Sequence, residues 1–351
     1  MDYAAKFSRI GKKTEPVILG IESSCDETAA ALVRGRELLS DVILSSAAEQ
    51  SKYGGVVPEI ASRMHTDAIG TAVERAVREA GVDKSQIDAV AVTYGAGLLG
   101  ALLVGLSFAK AYAYALDVPL IAVNHIRGHM AAAYLADKTL EPPFVILLAS
   151  GGHTAILLTK SYTDFSILGS TRDDAAGEAF DKAARVLGLP YPGGPHVEKL
   201  AREGKNCIAF PKMFSGGGYD FSYSGLKTAV INYCHNREQK GEPYSRADVA
   251  ASFQCAACDV LAERAVRAAL EHGVGTVAAG GGVIANGYMR EKLQKLCKEA
   301  GLRLVLPERR YCTDNAAMIA AEGLIRYMAG DFSDLSVNAC AHIPLGKKGK
   351  Q

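Results

Sequence analysis

His125 and His129 stand four residues apart in Asn124-His125-Ile126-Arg127-Gly128-His129, directly after an apolar stretch. On an α-helix that spacing places both imidazoles on one face, close enough to share a metal ion. The other reading is a pair of surface or capping histidines. No glutamate follows His125, so the zinc-protease pattern His-Glu-x-x-His is absent. A third ligand has to come from elsewhere in the chain. Asp314, in Cys312-Thr313-Asp314-Asn315, is a candidate because it lies at the start of an expected helix, although N-capping alone would explain an aspartate there. Two imidazoles and one carboxylate with open positions suit a catalytic divalent metal, iron or zinc.

Two hairpin-like stretches have the same design. Residues 17–33 read VILGIESSCDETAAALV and residues 144–159 read FVILLASGGHTAILLT. Each is an apolar run, a small polar and glycine turn, and a second apolar run. Backbone N–H groups and hydroxyls in such turns can face a phosphate. A third glycine-rich turn, Gly280-Gly281-Gly282, leads towards a helix from Asn286. Three successive glycines permit close approach by an adenosine or a phosphate, although the dinucleotide spacing G-x-G-x-x-G is not met. The repetition suggests a duplicated α/β fold with a nucleotide-like ligand between two lobes. In the first turn Asp26 and Glu27 are adjacent acids, able to serve as a base or simply to cap backbone.

Asp174, Glu178 and Asp181 fall at i, i+4 and i+7. They form either a solvated acidic face beside Lys182 and Arg185 or, with the rigid loop Tyr191–Pro195, acceptors for ribose hydroxyls. Cys255-x-x-Cys258 lies in alanine-rich helical sequence without a second pair nearby, which favours buried structural thiols over a redox or zinc half-site. His65, His235 and His272 lack partner spacing and read as structural or surface residues.

The elements that must carry these groups alternate. Strands are expected at 34–44, 88–93, 119–123, 276–279 and 302–306, besides the two hairpins. Helices are expected at 59–80 behind Pro58, within 95–116, after Asn124, and at 172–187, 197–201, 225–235, 246–272, 287–300 and 314–328. Alternation argues α/β. At 351 residues, 49% of them hydrophobic, the chain suits two domains. The expected division is a flexible 1–15, an N-terminal lobe at 16–140, a C-terminal lobe at 141–328, and a segment 329–351 returning to the first lobe, with 347–351 disordered. The net charge of +1 argues against a stand-alone nucleic-acid binder while leaving room for a local basic surface. The eight cysteines lack framework spacing, and no signal-peptide pattern opens the chain, so reduced thiols in the cytoplasm are expected. Residues 98–116 are the most apolar run, but Lys110 and the glycines and alanines mark a buried core helix, not a membrane span.

Nine ordered motifs carry a resemblance. They are GIESSCDET from Gly20, GVVPEIASRMH from Gly55, NHIRGH from Asn124, SGGH from Ser150, DDAAGEAFDK from Asp173, YPGGP from Tyr191, FSYSGLK from Phe221, GGGVIAN from Gly280 and CTDNAA from Cys312. Together they resemble the tRNA N6-adenosine threonylcarbamoyltransferase family, TsaD, formerly called O-sialoglycoprotein endopeptidase, in its bacterial form. The likeness runs from about residue 17 to 323. It implies the duplicated two-lobe fold of actin, the chaperone ATPases and sugar kinases (ASKHA). It implies a metal on His125, His129 and Asp314, iron(II) by the family's usual description, with zinc or magnesium as alternatives. It implies that Leu148, Ala149, Ser150, Gly151, Gly152, Asp181, Gly194, Glu198 and Asn286 line the threonylcarbamoyl-AMP site, and an ATP- or ADP-type nucleotide is a further candidate for the cleft. The implied reaction transfers threonylcarbamoyl to N6 of the adenosine 3′ to the anticodon in tRNAs reading ANN codons, with release of AMP. The implied partners are tRNA, a metal-less paralogue of similar fold (TsaB) and a small P-loop ATPase (TsaE), with no membrane involved.

Ala96 stands where the family usually has proline, and Arg127 where a neutral or acidic residue is common. Arg127 could meet a phosphate or point to solvent. For the chemistry, the acyl adenylate is already activated, so alignment and charge stabilisation are the main demands. Asp26 or Glu27 is the candidate base. A kinase or ATPase of the same fold is the rival reading, but such enzymes lack the His-x-x-x-His pair. A metalloprotease is disfavoured by the missing glutamate, and a non-catalytic scaffold by the presence of all three candidate ligands.

Overall fold

The computed structural model describes residues 3–8, 11, 13–211 and 217–343; the segment 347–351 lies outside them. The chain forms two compact units, Met1–Leu140 with Asp314–Gln351, and Glu141–Thr313.

The first unit contains α1 (Tyr3–Lys6), β1 (Val17–Glu22), β2 (Glu27–Arg34), β3 (Glu37–Ser45), α2 (Ala47–Gln50), α3 (Pro58–Ala80), β4 (Ala89–Gly95), α4 (Leu99–Leu116), β5 (Leu120–Asn124) and α5 (His125–Ala136). Its sheet has the order β3-β2-β1-β4-β5. β1 runs antiparallel to β2 and parallel to β4. The second unit contains β6 (Phe144–Ala149), β7 (Thr154–Thr159), β8 (Phe165–Ser170), α6 (Ala176–Val186), α7 (Gly193–Ala201), α8 (Ser224–Gln239), α9 (Arg246–Glu271), β9 (Thr276–Gly280), α10 (Gly287–Glu299) and β10 (Arg303–Val305). Its sheet has the order β10-β9-β6-β7-β8. Counted from its own first strand, that is the order of the first sheet, and β6 is likewise antiparallel to β7 and parallel to β9. The two hairpins noted in the sequence are therefore the same element of a duplicated unit. A final helix, α11 (Ala316–Ala329), belongs to the first unit.

β1 is buried throughout because both faces of its sheet are covered, which explains its unbroken apolar run. Leu19 and Ile21 share a core with Ile69 and Ala72 of α3 and Leu106 and Ala109 of α4. Ile18 packs with Met318, Ile319 and Ala320 of α11. This places α11 with the first unit, where the sequence expectation had put residues 314–328 with the second. Two glycines permit the contact. A Cβ on Gly20 would lie 2.4 Å from the Ala316 carbonyl oxygen, and one on Gly323 would lie 2.5 Å from Ala91 Cβ. In the second unit Val145 and Leu147 share a core with Ala257, Leu261 and Ala265 of α9.

Several expectations change. The N-terminus is anchored in part: the Tyr3 amide donates to Asp334 at 2.7 Å, its hydroxyl donates to the Val118 carbonyl at 2.6 Å, and Phe7 is buried. α4 is not buried all round. Ala101, Leu102, Gly105, Leu106, Ala109 and Ala113 face the core, whereas Leu99, Leu103 and Tyr114 are 50%, 41% and 69% exposed. By length and composition alone α4 could span a bilayer. α6 starts at Ala176, not Arg172, because the residues before it are drawn into other bonds. Asp173 accepts from the Tyr223 amide at 2.7 Å, and the Asp174 carboxylate meets Lys227 at 3.0 Å. The supposed acidic face is therefore divided, with Asp174 lying ahead of the helix. The Gly/Pro loop also ends earlier than expected, since α7 starts at Gly193.

Candidate functional site

β5 ends in Asn124, whose side-chain oxygen accepts from the Ile126 amide at 2.9 Å and starts α5. His125 and His129 follow on successive turns. Their rings stand 4.7 Å apart, nearly perpendicular, and both residues are buried. Asp314 is not the cap of α11. Asn315 is, accepting from the Met318 amide at 2.9 Å, and this leaves the Asp314 carboxylate for another task. Asp314 Oδ1 lies 3.4 Å from His125 Nε2 and 3.2 Å from His129 Nε2. One ligand atom from each of the three residues falls within 4.8 Å of the others. Apart from this approach of Asp314, buried His129 Nε2 has no hydrogen-bond partner among the described residues. Buried polar atoms are rarely left so. Two nitrogens and an oxygen directed at one point, one of them orphaned, fit a divalent ion of the iron or zinc kind.

The electrostatics follow from burial and proximity. Burial would raise the Asp314 carboxyl, but the imidazoles of His125 and His129 outweigh it and hold the group well below the usual carboxylate range. Burial opposes charge on His125, yet Asp314 and Glu22 prevail and raise it well above the ordinary histidine value. Glu22 escaped the sequence reading. It is completely buried, and its Oε2 lies 3.1 Å from His125 Nδ1. The available signal was a carboxylate closing a strand that is otherwise wholly apolar. Arg127 does not merely point to solvent: its Nε donates to buried Glu322 at 2.8 Å.

The first hairpin turn is largely committed to the fold. The Ser24 amide donates to Glu22, the Ser23 hydroxyl to the Ala101 carbonyl, and the Ser24 carbonyl accepts from the Leu98 amide. Two of the turn's donors, the Ser24 amide and the Ser23 hydroxyl, are thus engaged within the fold. Glu27 Oε1 accepts from the Ser45 hydroxyl at 2.9 Å, while its buried Oε2 has no partner among the described residues. Burial pushes the Glu27 carboxyl up to about 7, with Asp26 and Asp314 adding to the rise and Ser45 opposing it. Burial, with Asp314, also raises Asp26.

The second unit holds a cavity of about 230 Å³. Gly151, Asp181, Gly194, Glu198 and Asn286 of the expected ligand-site residues line it, together with Phe180 and Gly282. The glycines here are of two kinds. A Cβ on Gly177, Gly193 or Gly281 would collide with neighbouring backbone, so these serve close packing. A Cβ on Gly151, Gly194 or Gly282 would meet nothing within 4 Å, so these leave bare backbone at the cavity wall. Asp181 Oδ1 accepts from the Gly193 amide at 2.7 Å, and burial raises its carboxyl. Asn286 caps α10 through the Met289 amide and donates to Gln254. Glu198 accepts from the Gly287 amide and from Arg202. Leu148 and Ala149 are buried in β6 and do not line the cavity, nor do Ser150 and Gly152. Ser150 is engaged by its own turn: its amide donates to the His153 carbonyl, and its carbonyl accepts from Gly177. Cys255 and Cys258 are buried thiols on α9, their ionisation suppressed by burial. His65 is buried between Thr28 and the Cys25 carbonyl.

Comparison with known proteins identifies the family. Residues 37–321 match the family model TsaD, tRNA N6-adenosine threonylcarbamoyltransferase. The chain belongs to this family. Relatives of that name from Clostridium botulinum (strain 657 / Type Ba4) and Clostridium perfringens (strain SM101 / Type A) are 50% and 51% identical. The alignments cover 94% and 95% of this chain and 98% and 99% of theirs. Among solved structures, full-length HypF in its phosphate- and nucleotide-bound form superposes with a TM-score of 0.62 at 15% identity, over 92% of this chain and 48% of that one. The ADPNP-bound activator of 2-hydroxyisocaproyl-CoA dehydratase from Clostridium difficile gives 0.51 at 12% identity, over 90% and 95%. These likenesses agree with the ASKHA fold read from the duplicated sheets. Arg127 of this chain has a structural partner in Glu322.

Proposed function

We propose that the chain transfers the threonylcarbamoyl group of threonylcarbamoyl-AMP to N6 of the adenosine 3′ to the anticodon, in tRNAs that read ANN codons. In this reaction the N6 amine attacks the carbamoyl carbon, the bond from that carbon to the phosphate oxygen breaks, one N6 proton is lost, and AMP leaves. The convergence of His125, His129 and Asp314 around an orphaned imidazole nitrogen carries this reading within the family. His125, His129 and Asp314 would hold the ion. When bound there, iron(II), or zinc or magnesium in its place, supplies charge stabilisation for a carbonyl or phosphate oxygen. Asp181 and Glu198 accept ribose hydroxyls, while the bare backbone at Gly151, Gly194 and Gly282 admits the adenylate closely. The same wall would receive an ATP- or ADP-type nucleotide. Glu27, with a carboxyl near neutrality, is suited to take the N6 proton.

The partners are tRNA, the metal-less paralogue TsaB and the P-loop ATPase TsaE. The exposed Leu99, Leu103 and Tyr114 on α4 support docking of the paralogue on that helix. Eight free thiols support a cytoplasmic setting. The test is incubation of the chain with TsaB, TsaE, threonylcarbamoyl-AMP and unmodified tRNA, followed by nucleoside analysis. Threonylcarbamoyladenosine is expected, and its absence overturns the activity. The His129→Ala protein should fold, bind no metal and make no product. Full metal occupancy in that variant would remove His129 from the site.

A further inference from the structure

We infer that Glu22 is a positioning residue of the metal centre, fixing the tautomer and orientation of His125 so that Nε2 faces the ion; this rests on the proposed ligand set of His125, His129 and Asp314. An imidazole that binds a metal through one nitrogen donates from the other, and the acceptor sets which nitrogen carries the proton. His125 has that arrangement. Nε2 lies 3.4 Å from Asp314 Oδ1, and Nδ1 lies 3.1 Å from Glu22 Oε2.

Glu22 is built for a fixed task. It terminates β1, a strand buried along its whole length, and is 0% exposed. Its two oxygens are held separately. Oε2 accepts from the Thr93 hydroxyl at 2.6 Å on the neighbouring strand β4, and Oε1 accepts from the Ser24 amide at 2.5 Å. A fully buried carboxylate is costly unless it is bonded and paired. A purely structural role would be met more cheaply by an uncharged residue, whereas a charged acceptor behind a metal-binding imidazole raises its basicity. The Ser24 hydroxyl also approaches Nδ1, at 3.1 Å. It is neutral, so it contributes orientation without charge. The arrangement ties the end of β1, and not only helix α5, to the capacity of the centre to hold its ion.

The test uses Co(II) as probe, read by calorimetry and by its ligand-field absorption, on the full chain stripped of metal. Glu22→Gln retains an acceptor of the same shape and should bind Co(II) about tenfold more weakly. Glu22→Ala should approach a hundredfold loss. Ser24→Ala should stay within about twofold of the parent. His125→Ala is the control for the ligand set. Loss of binding there with parent-like affinity in both Glu22 variants overturns the positioning role and leaves the metal site standing. Parent-like affinity in His125→Ala overturns the ligand set itself. If the Glu22 variants do not fold, Thr93→Val decides: it frees Oε2 from its anchor and should weaken Co(II) binding several-fold, and unchanged affinity overturns the inference.

Discussion

At the scale of single residues, the groups that could do chemistry divide into those that the fold consumes and those that it leaves available. Asp173 and Asp174, prominent in the sequence, are consumed by Tyr223, Lys182 and Lys227. Glu27 is left with an unpartnered buried oxygen, and its carboxyl is pushed up to about 7 from an ordinary 4.5. The unfolded chain therefore releases this proton at lower pH than the folded one. Stability falls as pH rises between about 4.5 and 7, and the penalty persists above that range. Glu27→Gln should leave the melting temperature of the metal-free chain unchanged near pH 4 and raise it at pH 8. Equal shifts at both values would mean that Glu27 ionises freely. Asp181 calls for a different separation, because Oδ1 also positions Gly193. Asp181→Asn keeps an acceptor for that amide but removes the charge. It should weaken a non-hydrolysable adenylate analogue by about 1–3 kcal/mol in calorimetry while the melting temperature holds. Unchanged affinity would make Asp181 a structural brace. The histidine pair was legible from spacing alone. Glu22 was not, because its partner lies more than a hundred residues away, and only the folded register brings the end of β1 beside α5.

At the scale of elements, the proposed metal centre depends on α5 and on the residues just ahead of α11, and the packing between these two helices is specified in detail. A Cβ on Gly128 would lie 2.8 Å from Ile319 Cδ1, so glycine sets the approach. Glu322, 3% exposed, accepts from Arg127 Nε at 2.8 Å and from Arg326 Nε at 2.9 Å, joining the helices through a buried carboxylate. Removing one partner of a buried pair strands the other charge and typically costs about 3–5 kcal/mol. Glu322→Ala should lower unfolding stability by about that amount in denaturant titration and weaken metal retention as α5 loosens from α11. A loss under about 1 kcal/mol would place the pair among weak surface bridges. The strand pattern was most readable in β1 and β6, each buried along its whole length. The unit to which α11 belongs was not readable. Its apolar residues would suit either core, and contacts distant in sequence, among them those at Gly20, Gly128 and Gly323 and the Arg127–Glu322 pair, select the first.

At the scale of the whole molecule, the duplication is the property most legible from sequence, since two similar hairpins turned out to open two sheets of the same order. Charge gives the more consequential constraint. A net charge of +1 over 351 residues gives no overall excess of cations to drive the counterion release on which much nucleic-acid affinity rests. The proposed substrate is nonetheless a tRNA with a phosphate at every nucleotide. The chain alone should therefore bind tRNA weakly, and the little binding it has should fade between low and physiological salt. The exposed apolar residues of α4 offer a surface on which a partner could complete a basic face. Mixed with the paralogue, the chain should bind tRNA more tightly, with a steeper dependence of affinity on salt, because more phosphates are then neutralised. Leu103→Asp on α4 should abolish that gain while leaving the isolated chain's fold and metal content as they were. Fluorescence anisotropy with labelled tRNA at low and physiological salt distinguishes the cases. Tight, salt-resistant binding by the isolated chain would mean that a local basic surface, hidden within the near-zero net charge, carries the tRNA by itself.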